Sequence, residues 1–207
     1  MPQRIATNRP QSRGEKTRER LIAAVIDLVR EQGYAATSVD QLCAHAGVTK
    51  GAFFHHYASK DELAAAAARF WGTNADNLFA LPPSDDPVQR LLDYIDIRAA
   101  MMEGPVADCA CLAGTMVQEV HVTHPALRQA CGEAILGHAA SLDRDCADAL
   151  AIHPHEGMTA ASLARYIQAV VQGGLVMAKA GDDIALAREA VSHLRRYIVR
   201  LFTHQGI

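Results

Sequence analysis

Apolar residues recur along this chain at the three- and four-residue spacing of helices facing a core, and strand-like alternation is nearly absent. From Glu15 to Gln32, Leu21, Ile22, Val25, Leu28 and Val29 fall on one side, and Gly33 suits the C-terminal cap. A second helix starts after Thr37 or Ser38, buries Val39, Leu42 and Cys43, and stops near Gly47. Thr49 caps a short third helix to about Tyr57, with Val48, Phe53 and Tyr57 inward, and Ser59 caps a long fourth that runs to about Ala80. After the break at Leu81-Pro82-Pro83-Ser84, a helix opens at Asp85-Asp86-Pro87 and runs to Met102, stopped by Gly104-Pro105. Further helices are expected over Leu112 to Val122, His124-Pro125 to Ile152, Thr159 to Ala180, and from Gly181-Asp182 to about Thr203. The class is all-α, about nine helices without a strand.

Composition narrows this picture. The 207 residues are half hydrophobic and 21% charged, which is globular rather than disordered. No apolar run is long enough to cross a bilayer and the polar N-terminus lacks a secretory core segment, so a cytoplasmic location is expected. Five cysteines without a CxxC pair suggest small buried hydrophobes instead of disulfides or a zinc site. The net charge of −3 hides an asymmetry: residues 1–71 carry 10 basic and 7 acidic side chains, residues 72–207 carry 10 and 16. A basic head on an acidic body suits a molecule whose head alone meets phosphate. Residues 1–14, with Arg4, Arg9 and Arg13 but no apolar period, read as a flexible basic arm.

Three short helices followed by a long connector are the parts of a helix-turn-helix head, whose second helix enters the major groove. In Ala44-His45-Ala46-Gly47-Val48-Thr49-Lys50-Gly51, the alanines let two helices approach, Gly47 turns the chain and Val48 fills the angle. The runs Gly33-Tyr34-Ala35-Ala36-Thr37-Ser38-Val39, Ala46 to Gly51, and His55-His56-Tyr57-Ala58-Ser59-Lys60-Asp61-Glu62-Leu63 resemble the N-terminal signature of the TetR family of repressors. The resemblance implies a DNA-binding domain over 15–63 and a ligand-binding and dimerisation domain over 64–207. It also implies a double-stranded operator as partner. Thr37 or Ser38 would donate to a phosphate, and Thr49 and Lys50 would reach bases or phosphates. Gly51 would permit close approach, His55 and His56 would lie along the backbone, and Lys60 would add charge at a helix start. Three positions depart from the family pattern. Phe54 stands where a tyrosine is common, Ala52 where a hydroxyl is common, and Asp40 near a basic base-reader.

The stretch Cys111-Leu112-Ala113-Gly114-Thr115-Met116-Val117-Gln118-Glu119, with Thr123-His124-Pro125 and Gln172-Gly173-Gly174, is similar to a C-terminal domain of the same family. That likeness implies a homodimer whose last two helices pair across a two-fold axis. Ile167, Val170, Val171, Gly174, Leu175 and Ala178 form one candidate stripe for that face, and Ala187, Val191, Leu194, Ile198 and Leu201 a second. It implies a small-molecule effector too, and Met101, Met102, Thr115, Met116, His121, His138, Gln168, Gln172 and Met177 are the residue types that line an adaptable apolar cavity with a few polar anchors. No cofactor or metal is expected. A thiol or metal sensor on this scaffold would draw on Cys109, Cys111 and Cys131, on His121 with His124, or on His153 with His155, but no ligand set has metal spacing. Enzymatic function is not expected, because phosphate loops, nucleophile elbows and HExxH motifs are missing from the sequence.

Overall fold

The computed structural model describes residues 12–78 and 84–203. The distal part of the basic arm, with Arg4 and Arg9, and the Leu81-Pro82-Pro83 break lie outside them. The described residues form eleven helices: α1 (Arg13–Gln32), α2 (Val39–Ala46), α3 (Lys50–His56), α4 (Lys60–Leu78), α5 (Pro87–Ala100), α6 (Val106–Cys109), α7 (Leu112–Val120), α8 (Pro125–Ala140), α9 (Asp143–Ile152), α10 (Ala160–Gly181) and α11 (Ala185–Thr203).

Local chemistry explains most of the boundaries. Ser12 with Glu15, Ser38 with Gln41, and Thr159 with Ser162 build reciprocal capping boxes that satisfy the first free amides of α1, α2 and α10. Asp86 caps α5 ahead of Pro87. Two segments exceed the sequence expectation. One is the single turn α6. The other arises because the expected helix from Pro125 to Ile152 breaks at Ser141-Leu142. There the Ser141 hydroxyl donates to the His138 carbonyl (2.7 Å) and the Leu142 amide reaches back only three residues to Ala139 (3.1 Å). Leu142 thereby turns into the core. Neither residue is a breaker by type, so periodicity ran through the joint.

Two hydrophobic cores result. The first joins Leu21, Val25, Leu42, Phe53 and Leu63 of the head to Leu112, Met116, Leu127 and Cys131 of α7 and α8. The second packs α5 and α9 against α10 and α11 through Leu91, Tyr94, Ile95, Leu163, Ile167, Val171, Val191, Leu194 and Ile198. Cys111 borders both. The head is therefore packed onto the body through shared apolar side chains.

The second core also corrects the expected dimer face. Ile167, Val171, Gly174, Leu175, Ala178, Ala187, Val191, Leu194 and Ile198 are all buried within one protomer, and Val170 and Leu201 pack partly against the same core. A Cβ on Gly174 would lie 3.2 Å from the Ala187 Cα, so its missing side chain serves the α10–α11 approach inside the chain. These stripes are spent mainly on the protomer's own core, with only Val170 and Leu201 left half-exposed. The opposite side of the same helices exposes Tyr166, Val176, Met177 and Tyr197, with Gly173 between them, and the Tyr166 and Tyr197 rings touch at 5.2 Å.

Candidate functional site

In the head, α1 supports a two-helix reader. Gly47 ends α2 in the left-handed conformation (φ 60°), which a side chain resists, and Arg20 Nη2 donates to its carbonyl (2.8 Å) and fixes the turn. Ala46 is buried between the helices, whereas Ala44 faces outward. Phe53 and Tyr57 hold α3 on the core. That leaves Ser38, Thr49, Lys50, Gly51, Phe54 and His55 on the surface, with Ala52 and His56 half-buried. Ser38 and Thr49 accept cap bonds from Gln41 N and Ala52 N while both residues stay exposed. Phe54 is 54% exposed, a large apolar side chain offered to whatever the helix meets.

Lys50 Nζ sits 2.7 Å from an Asp40 carboxylate oxygen, with both side chains exposed. The pair fixes a basic group and an acceptor side by side. His56 is held below the ordinary histidine range by loss of hydration, then by His55 and Arg18.

Two expected contacts fall away. Thr37 is 2% exposed and its hydroxyl donates to the Gly33 carbonyl (2.7 Å), so it stitches the α1–α2 turn and does not reach a phosphate. Lys60 Nζ donates to the carbonyls of Tyr34 (3.0 Å) and Thr37 (2.9 Å) beneath the Tyr34 ring, where burial lowers its pKa. It neutralises the end of that turn from within.

In the body, a cavity of about 90 Å³ lies at the seam of the two cores. Met101, Met102, His138, Gln168 and Gln172 line it, as expected from their chemistry. Four other expected residues lie elsewhere. Met116 is fully buried in the first core, the Thr115 hydroxyl accepts from Lys179 Nζ (2.7 Å), His121 is exposed beyond α7, and Met177 is 58% exposed on the outer face of α10. Local patterning missed Arg30, Trp71, Arg98, Cys109 and Ile135, which reach the cavity from separate helices or their ends. Trp71 is the single tryptophan of the chain, the one sequence signal that could have marked this wall.

Arginine, histidine and glutamine side chains give the cavity its main polar groups, and Tyr94 stands behind one of them. Tyr94 Oη and His138 Nε2 are 2.8 Å apart, both buried. Gln168 is 95% buried, and its Oε1 has no hydrogen-bond partner among the described residues. Arg30 belongs to α1, yet its guanidinium lies 5.3 Å from the Trp71 ring centroid. Its Nε donates to the Ala110 carbonyl (2.9 Å) and its Nη2 to that of Asp108, and burial is the main cause of its lowered pKa. A second tie joins body to head nearby. Glu119 of α7 accepts from the amides of Tyr34 (3.0 Å) and Ala35 (2.7 Å).

The cysteines are mostly sequestered. Cys43, Cys131 and Cys146 are buried, and loss of hydration pushes the last two thiols to about 12. Burial also raises Cys109, whose thiol lies against the carbonyls of Met101 and Glu103. His155 Nε2 is taken up by the Leu201 carbonyl (2.8 Å).

The sequence and fold match known proteins over both parts. Residues 21–67 match the family model described as bacterial regulatory proteins, tetR family, and residues 87–194 match the tetracyclin repressor-like C-terminal domain. The helix-turn-helix transcriptional regulator YxaF of Bacillus subtilis is 24% identical over 175 residues, covering 83% of this chain and 89% of that one. A helix-turn-helix transcriptional repressor of Mycobacterium tuberculosis is 34% identical over 96 residues, 45% of this chain and 50% of its own. A TetR transcriptional regulator from Chloroflexus aurantiacus superposes with a TM-score of 0.76 at 25% identity, over 90% of this chain and 96% of that chain. With a reader helix exposed at one end, a lined cavity behind it, and family models matching both regions, the chain belongs to the TetR family of bacterial transcriptional regulators.

Proposed function

We propose that the protein is a homodimeric repressor that binds a palindromic operator through α2 and α3 and leaves it when a small molecule fills the seam cavity. The observation that carries this reading is the continuity of one core from the recognition helix to the cavity wall: Phe53 of α3 packs in the same cluster as Ala113 and Ala134, which line the cavity. A change of cavity shape then shifts the head as a body. Thr49, Lys50 and Gly51 would meet the groove at the start of α3, with Ser38, His55 and His56 on the flanking phosphates and Phe54 against a sugar or thymine methyl. Repression is favoured because the Mycobacterium tuberculosis relative is named a repressor.

A dimer places its two readers at half-sites about 34–36 Å apart, and an effector acts by favouring another separation. A ligand present at about 100 times its Kd for the non-binding form shifts the balance by about 2.7 kcal/mol, enough to empty a marginally occupied operator. The outer α10–α11 face, with Tyr166, Met177 and Tyr197, is the surface that would pair. Binding and regulation, not catalysis, are the expected activities, and among the described residues no helix is long and apolar enough to cross a membrane.

The test is a gel shift on DNA flanking the protein's own gene. Lys50→Ala is expected to weaken binding by about 1–3 kcal/mol if Lys50 reads a base. Indifference of the full chain to every such duplex at low salt would overturn the reading.

A further inference from the structure

The chemistry of the seam cavity identifies the kind of molecule it takes, given the reading above that this cavity is the effector site. We propose that the effector is a small aromatic acid bearing a hydroxyl group, with its carboxylate held by Arg30 and its hydroxyl donating to Gln168.

Three observations converge on this class. The first is charge. Two guanidiniums, Arg30 and Arg98, line the cavity against one carboxylate, Asp108, which is exposed to water. Arg30 gives Nε and Nη2 to main-chain carbonyls, weaker partners than an anion. A planar carboxylate offers the fork of the guanidinium a charge-assisted, two-pronged alternative. Such a cationic wall in a body of net negative charge selects for an anion small enough to enter.

The second is shape. Trp71, Met102, Ala113, Ala134 and Ile135 supply flat or aliphatic walls, and about 90 Å³ is smaller than the roughly 150 Å³ that holds a bare benzene ring, so a single ring is the upper limit and it enters only as the walls give way. Met101 and Met102 can adjust to that ring without loss of packing. A ring whose carboxylate pairs with Arg30 lies beside Trp71, because the guanidinium already sits near that indole.

The third is the unused acceptor. Gln168 Oε1 is buried at the cavity without a donor among the described residues, an unmet hydrogen bond that a ligand O–H would satisfy. An acid without a donor leaves the acceptor unpaired, and an uncharged ring leaves Arg30 on its carbonyls.

The same contact supplies the transmission. Arg30 is the residue of α1 that reaches the cavity, and it ties the end of that helix to α6 through Ala110 and Asp108. A carboxylate that takes the guanidinium competes with those carbonyls and loosens α1 from α6. The head is thus addressed directly by the ligand's charge.

Trp71 makes binding visible, since it is the single tryptophan and lines the site. The full chain is titrated with 2-, 3- and 4-hydroxybenzoate, benzoate and the matching hydroxybenzamides, with tryptophan emission as the readout and a gel shift in parallel. At least one hydroxybenzoate is expected to bind saturably and tenfold or more tighter than its amide. Arg30→Gln is expected to erase that tenfold preference and, because it also removes the ties to Ala110 and Asp108, to bind the operator more weakly without ligand and to show no further release on adding acid, and Arg98→Gln to weaken the acid by a similar factor. Gln168→Leu should bind benzoate and the best hydroxybenzoate equally.

Amides that bind as tightly as acids, or no probe that alters Trp71 emission, would overturn the anion class while operator binding and its regulation stand. Tight acid binding by a chain that ignores DNA would overturn the repressor reading and keep the site. Acid binding that leaves the operator complex intact would support the anion site but remove the transmission through Arg30.

Discussion

Lys50 carries its own counter-charge. Asp40 holds the ammonium at 2.7 Å and raises its pKa, so the group that would meet DNA is already engaged. Removing the carboxylate exposes that cation and deletes a charge that phosphates repel. Asp40→Ala is therefore expected to bind nonspecific duplex more tightly, with a steeper dependence on salt by about one counterion, as measured by affinity against ionic strength. It should discriminate less between operator and random DNA, since a paired lysine has one preferred position and a free one has many. His56 belongs to the same surface. Its lowered pKa disfavours the charged form in the free protein. The folded chain then binds this proton less readily than the unfolded chain, so acid through this range costs some stability. A nearby phosphate favours the proton. Operator affinity is expected to strengthen as the pH falls through and below the ordinary histidine range, and His56→Gln should flatten part of that rise.

At the scale of elements, helix junctions tie head to body through hydrogen bonds. The end of α1 is held by Arg30 to the carbonyls of Asp108 in α6 and Ala110 just after it, and by Glu119 of α7 to the turn amides of Tyr34 and Ala35. Lys60 and Thr37 stitch the same turn from inside the head. Deleting the carboxylate in Glu119→Ala leaves two amides without their acceptor. Because Glu119 is exposed, water replaces part of the loss, and the expected destabilisation is about 1–2 kcal/mol in denaturant unfolding. The more specific outcome is functional: α1 should loosen without ligand, so basal operator affinity falls and the effector adds less.

At the scale of the whole molecule, the shared core decides what can move. Phe53, Leu63, Leu112, Met116 and Leu127 form one cluster, so the reader helix and the cavity wall share one packed core. The second core holds α10 and α11 in place with their outer face exposed. Charge placed on that face should leave the protomer folded, since Met177 is 58% and Tyr197 37% exposed. Met177→Asp with Tyr197→Asp is expected to yield a folded monomer by light scattering and to lose the affinity that two linked half-sites provide, a factor of about 100 or more. A dimer that survives this pair would place the two-fold contact on another surface.

The helices, their caps and the reader were legible in the residues themselves, because each is a local matter: a three- to four-residue period, a Ser or Thr ahead of it, a glycine past it. Ser38, Thr49 and Lys50 could be placed on a surface from their neighbours alone. Which stripe of α10 faces inward could not, since Ile167 and Met177 are both apolar positions on one helix and only the position of α11 and α5 decides between them. The cavity is the clearest case. Arg30, Trp71 and Gln168 stand far apart in the chain and meet because two cores abut. Thr37 and Lys60, plausible phosphate contacts by position, were claimed by carbonyls that the α1–α2 turn left in need of donors. Local periodicity sets which elements exist. Only the packing of distant helices settles which of their side chains remain available.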